Sequence, residues 1–245
     1  EVESIIVDDD TRLYLSTYEQ GIFYSTPFDN LKNLNLCELP QTDRKTALCS
    51  IKDKEGNLWF GYKDGMLICH SPLKKKIQKY NVINAPINVL FIDSKKNFWI
   101  GTDNGLFLYN RDKKEKKEVA LKQAINCVLD IDEDNEGNLW IATSLGLLKL
   151  NYTKSRQNIQ FFPTDKHTYT AQAVLTAKDG TVYVGYQNGL GIIPHGETAV
   201  KHVFTTMDGL GSNWINCLLE DKQGYIWIGT NSGFSCYDKS INQFY

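Results

Sequence analysis

The sequence predicts an all-β fold, a β-propeller of four-stranded antiparallel blades with six repeats visible. Three observations carry that prediction: one motif recurs at a near-constant period, its polar residues fall where hairpin turns need them, and its central strand is apolar on both faces. Aligned on the aromatic residue of "IWIGT", equivalents fall at Tyr14, Trp59, Trp99, Trp140, Tyr183 and Trp227, separated by 45, 40, 41, 43 and 44 residues. A repeat of that length forms one small sheet that cannot bury both faces alone, so it stacks on copies of itself, and radial stacking gives a propeller. Residues 1–245 are read as one domain, with the six anchor aromatics packed between blades.

The offsets around each anchor justify the strands. An Asp stands six residues before it (Asp8, Asp53, Asp93, Asp134, Asp221), with Ala177 in the fifth copy. Gly follows three residues before the anchor in four copies, as Gly56, Gly137, Gly180 and Gly224. A carboxylate that accepts turn amides and a Gly free to take positive φ fold "LLEDKQGYIWI" into a hairpin. Gly recurs two residues after the anchor (Gly61, Gly101, Gly185, Gly229) and six after it (Gly65, Gly105, Gly146, Gly189, Gly233), and "TDNGL" and "YQNGL" are hairpin signals. Each copy thus reads as strand A ("INCLLE"), strand B ("YIWIGT"), strand C ("GFSCYD") and strand D ("INQFY"). The first copy departs most, with Thr11, Ser16 and Gln20 at the Gly positions.

Composition narrows the function. With 42% apolar and 23% charged residues the chain suits a globular fold with a sizeable core. A net charge of −2 gives no basic stripe for nucleic acid or an anionic membrane surface. No apolar run is long enough to span a bilayer, and "EVESIIVDDD" carries no signal-peptide pattern. The runs "KKKIQK" and "KKEKK" fall at C–D turns and outermost strands, where Lys discourages edge-to-edge pairing. His70, His167, His195 and His202 show no HxxxH or HExxH spacing, and nucleophile-elbow and P-loop motifs are absent. The reading is therefore no enzyme, no cofactor and no metal.

The string "DxxGxxWIGTxxGL", fullest in "MDGLGSNWINCLLEDKQGYIWIGTNSGFSCYD" from Met207 to Asp238, resembles the two-component regulator propeller repeat. Tyr62 and Tyr186 in place of Thr, Ala142 in place of Gly, and Tyr14 and Tyr183 in place of Trp depart from it. No Trp-Asp or Gly-His dipeptide supports the WD40 alternative. The resemblance implies the extracytoplasmic sensor region of a hybrid two-component receptor of Bacteroidetes, excised from a longer protein. It implies a periplasmic location, an oligosaccharide ligand, and as partners the receptor's other domains and a second subunit. It also implies a six-bladed ring or part of a seven-bladed one; the alternative function is a protein-interaction or dimerisation scaffold.

Six cysteines, at 37, 49, 69, 127, 217 and 236, show no CxxC pair and read as core fillers rather than a disulfide framework. Cys49 and Cys217 share one strand-A position, and Cys127 joins them if the three extra residues of the fourth copy lie in its A–B turn. In a propeller the D–A connections and B–C turns emerge together on one face. Residues there that break the repeat are the ligand-binding candidates: Tyr18, Arg44, Tyr62, Lys63, His167, Tyr186, Gln187 and Trp214. Trp214 stands where other copies place Thr46, Pro86, Ala124 and Thr170, and an exposed indole can stack on the apolar face of a sugar.

Overall fold

The computed structural model describes residues 1–27, 34–42, 44–121, 127–153, 157–162 and 170–245. The chain divides into two compact units, Glu1–Val119 and Ala120–Tyr245, each holding three blades. In the first unit, blade 1 is β1 (Val2–Val7), β2 (Leu13–Thr17), β3 (Gly21–Ser25) and β4 (Leu36–Glu38). Blade 2 is β5 (Ala47–Lys52), β6 (Leu58–Tyr62), β7 (Met66–Ser71) and β8 (Lys76–Asn81), and blade 3 is β9 (Ile87–Ile92), β10 (Phe98–Thr102), β11 (Gly105–Asn110) and β12 (Glu115–Val119).

In the second unit, blade 4 is β13 (Val128–Glu133), β14 (Leu139–Thr143), β15 (Gly146–Tyr152) and β16 (Gln157–Phe162). Blade 5 is β17 (Ala171–Thr176), β18 (Val182–Tyr186), β19 (Gly189–Ile193) and β20 (His202–Phe204), and blade 6 is β21 (Ile215–Glu220), β22 (Ile226–Thr230), β23 (Gly233–Asp238) and β24 (Gln243–Phe244). Every sheet is an antiparallel meander in chain order. Among the described residues the one helical element is a 3-10 turn, Thr206–Asp208.

The aspartate six residues before the anchor does more than close a turn. Asp53 accepts the amides of Glu55 and Asn57 through Oδ1 and the indole Nε1–H of Trp59 through Oδ2 at 2.8 Å. The same bracket holds Trp99 to Asp93 (2.9 Å), Trp140 to Asp134 (3.0 Å) and Trp227 to Asp221 (2.9 Å). A buried indole N–H needs an acceptor, so Trp and Asp are one unit. The fifth copy has neither, with Ala177 and Tyr183 in their places. Burial pushes the Asp53 carboxyl up, but Trp59, Asn57 and Arg111 outweigh it and hold it below its ordinary value.

The turn conformation persists where the glycine does not. Thr11 (φ 60°) and Lys96 (φ 67°) adopt the left-handed geometry that Gly56, Gly137, Gly180 and Gly224 adopt in the other copies. Glycine two residues after the anchor has a different use: a Cβ on Gly61 would lie 2.5 Å from Ile87 Cγ2, and one on Gly185 2.5 Å from Ile215 Cγ2. The first residue of the next blade's strand A therefore seats in the hole that the glycine leaves. Thr102, Thr143 and Thr230 donate their hydroxyls to the carbonyls of Gly105, Gly146 and Gly233, pinning the B–C hairpins.

Blades pack face to face. Tyr14, Ile22 and Phe60 join blades 1 and 2; Trp59, Ile87 and Phe98 join blades 2 and 3. Trp140, Val174 and Val184 join blades 4 and 5; Tyr183, Ile215 and Ile228 join blades 5 and 6. Tyr14, Trp59, Trp99, Trp140 and Tyr183 are all buried as expected. Trp227 is not: it is 38% exposed and leans on Phe234 of its own blade.

Three alignments need correction. Gly21 (φ 83°), not Gln20, fills the B–C glycine position of the first copy, whose turn is one residue longer. In the fourth copy Asp130, not Cys127, pairs with the residue that matches Gly61 and Gly229, so the extra residues precede strand A rather than extend the A–B turn. Cys127 consequently takes the pre-strand position assigned to Ala124, which lies outside the described residues. Strand D of the last copy is also shorter than "INQFY", being Gln243–Phe244.

Candidate functional site

The D–A connection and B–C turn share one end of each blade, joined by a recurring backbone bond. Lys63 donates to Thr46, Asp103 to Pro86, Ser144 to Cys127 and Asn231 to Trp214. At this end of the first unit, Tyr18 from the β2–β3 turn meets Lys63 from the β6–β7 turn, with the ammonium 5.5 Å from the ring centroid. Both are exposed, and Tyr18 keeps 42% of its surface in solvent. Arg44 is exposed nearby in sequence but engaged, donating through Nε and Nη2 to the two carboxylate oxygens of Glu38 at 3.2 and 2.9 Å.

Tyr62 and Tyr186 are misplaced by the sequence reading. Both rings are fully buried, so neither offers a face to a ligand. Each replaces the hairpin threonine, and the Tyr186 ring fills space above Gly191, where a Cβ would lie 2.6 Å from Tyr186 Cε2. His167 lies outside the described residues. In the second unit Gln187 is exposed at the β18–β19 turn, and Trp214 is 41% exposed at the end of the connection from β20 to β21. That connection is ordered from within. Thr205 and Asp208 form a capping box, Gly209 takes φ 102°, and buried Leu210 plugs it into the blade 5–6 core. Its tip presents Met207, 93% exposed.

A cleft that sequence reasoning missed opens at the opposite end of blades 4 and 5. It encloses about 200 Å³ above Trp140 and Phe162, walled by Lys149, Gln160, His195 and Glu197. An amide-lined shelf with Asn138, Asn151, Asn158 and Gln160 adjoins it, sharing Glu136, Lys149 and Gln160. Lys149 lies 5.0 Å from the Trp140 ring and 2.9 Å from Asp134. Glu197 pairs with Lys201, so the cleft offers hydrogen bonds rather than a nucleophile set against a base. Nothing at the repeat offsets could have signalled it, because His195 and Glu197 come from the irregular connection after β19.

On strand A of blade 4, Asp130 and Asp132 reach across to blade 5. Asp130 accepts the Val174 amide at 2.9 Å, and Asp132 accepts the Thr176 amide at 2.7 Å and its hydroxyl at 2.8 Å. They satisfy amides on the first strand of the neighbouring sheet, which a buried backbone cannot leave unpaired. Burial raises the Asp130 carboxyl to about 7 and pushes Asp132 up as well. A folded-state value above the unfolded one means that the native protein holds the proton longer. This contribution is full below the carboxyl's ordinary value of 3.8 and is lost as pH rises toward 7. Asp130→Asn should abolish that loss: its stability relative to the parent should rise between pH 4 and 7 and then level off, as urea denaturation at stepped pH would show. A difference that stays flat with pH contradicts the assignment.

Among the described residues no group of three or more His, Cys, Asp or Glu could hold a metal ion, and no helix is long and apolar enough to cross a membrane. None of the six cysteines is in a disulfide; Cys69 is buried, whereas Cys37 and Cys217 are exposed and so are not the core fillers that the sequence suggests.

Comparison with known proteins places this geometry. The chain shares its fold with the extracellular domain of a one component system of B. thetaiotaomicron, at 21% identity and a TM-score of 0.80, over 96% of this chain and 32% of that one. The extracellular domain of a hybrid two component system of the same organism matches at 18% identity and a TM-score of 0.61, over 99% of this chain and 39% of that one. Virginiamycin B lyase of Staphylococcus aureus matches at 14% identity and a TM-score of 0.80, over 100% of this chain and 83% of that one. Such likenesses establish the fold alone, a β-propeller. In sequence, Histidine kinase P4 of Formosa agariphila is 24% identical over 225 residues, covering 66% of this chain and 16% of that protein. The chain thus spans a third or less of the first-named domain and kinase. The model of the two component regulator propeller matches residues 123–144 and 209–232, which hold the opening strands of blades 4 and 6. In those two stretches the chain is similar to the two component regulator propeller repeat.

Proposed function

We propose that the chain is the ligand-sensing propeller module of a hybrid two-component receptor, lying in the periplasm, and that it detects glycan-derived oligosaccharides and relays their binding across the membrane. The observation that carries this reading is the match of residues 123–144 and 209–232 to the regulator-propeller repeat, on a fold shared over 96% of the chain with the extracellular domain of a one component system. The module itself has no catalytic part in this reading; kinase chemistry belongs to other domains of the receptor. Ligand contact falls to the D–A/B–C ends, through the indole of Trp214 with Gln187, and through the Tyr18–Lys63 pair. These are exposed side chains at the rim, so affinity is modest, and a ligand acts by favouring one arrangement of rigid domains over another.

Calorimetric titration with a panel of oligosaccharides tests the reading. One of them should bind, and Trp214→Ala should weaken it roughly tenfold, the scale of one lost stacking contact, with the melting temperature unchanged. Failure of every oligosaccharide to bind defeats glycan sensing by this module. Undiminished binding by the variant, coupled to a lost dimer on sizing, would make the propeller a dimerisation scaffold instead.

A further inference from the structure

Two lysine runs far apart in the sequence come together in the first unit. Residues 74–79 fall in the β7–β8 turn and β8 of blade 2, and residues 113–117 in the β11–β12 turn and β12 of blade 3. Over residues 71–81 and 110–119, nine Lys or Arg stand against three carboxylates, an excess of six positive charges in a chain whose net charge is −2. Edge protection does not account for this. The outermost strands of the other four blades, β4, β16, β20 and β24, contain no Lys or Arg. Backbone conformation points the same way: Lys75 (φ 48°) and Lys114 (φ 57°) occupy the left-handed residue just before strand D, where blade 6 places Asn242 (φ 54°). Asn tolerates that conformation better than Lys, so the cations are kept against a local preference.

The runs border a groove between the outer parts of blades 2 and 3. Lys114 stands over the Tyr80 ring, its ammonium 5.4 Å from the centroid, and Lys116 donates to the Val82 carbonyl while lying 5.8 Å from the Phe107 ring centroid. Both line a hollow of about 380 Å³, which continues into one of about 460 Å³ through the shared Asn81, Val82 and Lys116. The second hollow is walled by the exposed amides Asn81, Asn84 and Asn104, and Glu118 is the one carboxylate lining either. Among the described residues no ion pair engages Lys74, Lys75, Lys113, Lys114, Lys116 or Lys117.

We propose that this groove binds an acidic oligosaccharide, one whose sugars carry carboxylate or sulfate groups. The ammonium groups take the charges, and the amides take ring hydroxyls. A concave site disfavours a flat lipid surface. Nucleic acid needs ring faces open for base stacking, whereas Phe107 and Tyr109 are buried and Lys114 covers Tyr80. The choice of a saccharide rests on the glycan reading above, while the demand for negative charge comes from the groove alone. None of its residues belongs to the rim contacts Tyr18, Lys63, Gln187 and Trp214.

Calorimetric titration of the 245-residue chain with tetragalacturonate, its neutral methyl ester, a sulfated carrageenan tetrasaccharide and a single-stranded oligonucleotide tests the proposal. At least one acidic tetrasaccharide should bind and the ester should not. Lys114→Gln combined with Lys116→Gln should weaken the acidic ligand roughly tenfold, with the melting temperature unchanged. Lys54→Gln combined with Lys222→Gln, which removes two exposed ammonium groups elsewhere, should leave binding as it is. Failure of both acidic tetrasaccharides overturns the proposal, and so does an equal loss in the two double variants, which reduces the effect to bulk attraction. Tighter binding of the oligonucleotide through Lys114 and Lys116 overturns it too, because the groove is then a nucleic-acid site. A neutral oligosaccharide that binds through Trp214 while both acidic ones fail leaves the glycan reading standing without this site.

Discussion

Trp99→Ala is expected to lower the unfolding free energy by about 3–5 kcal/mol, the cost of deleting a large core aromatic whose site cannot collapse. The indole is fully buried, and its Nε1–H donates to Asp93 at 2.9 Å. The substitution therefore empties a cavity and also leaves a buried carboxylate short of one donor. Two-state urea denaturation of parent and variant measures the difference, and an unchanged midpoint would contradict the buried anchor. Trp227→Ala serves as the internal contrast. The same residue in the same bracket is 38% exposed, so its loss should cost much less.

Gly65→Ala is expected to be of similar severity, about 3 kcal/mol or more, and for a different reason. Gly65 sits at φ 84°, where an L-residue is strained, and a Cβ there would fall 1.7 Å from the carbonyl oxygen of Ile83. That obstacle is backbone rather than a flexible side-chain end, and Gly65 itself accepts the Ile83 amide, so relief requires moving the connection into blade 3. The matching change Gly105→Ala meets nothing within 4 Å and should show the backbone strain alone. Equal melting temperatures for the two variants would contradict the crowding at Ile83.

The architecture was legible because the physics of one blade is written six times. Asp–Gly turns and doubly apolar central strands place β5 through β7 and β21 through β23 within a residue or so of where they lie. What the sequence hid was the purpose of some offsets. The aspartate looked sufficient as a turn residue, and only the Trp59 Nε1–Asp53 distance shows that it also satisfies the anchor, which explains why Trp and Asp are absent together from the fifth copy. Rim residues were harder. A departure from the repeat marks either a ligand contact or a local repacking, and Tyr186 over Gly191 belongs to the second kind while Trp214 stays in solvent. Burial of Tyr62 and Tyr186 depends on a three-dimensional fit that no linear offset encodes. Exposure at Trp227 was invisible for a related reason: the motif around it is the most complete of all, and whether an anchor is covered depends on the neighbouring sheet rather than on its own residues.

The most direct test of the account is the solvent accessibility of each of the five tryptophans in the 245-residue chain, read by hydroxyl-radical oxidation and peptide mass spectrometry. Trp59, Trp99 and Trp140, at 5%, 0% and 3% exposure, should be protected, while Trp214 and Trp227, at 41% and 38%, should oxidise readily. Oxidation of Trp99 as fast as Trp214, or protection of Trp227 in a monomeric chain, would contradict the blade packing from which everything else here follows.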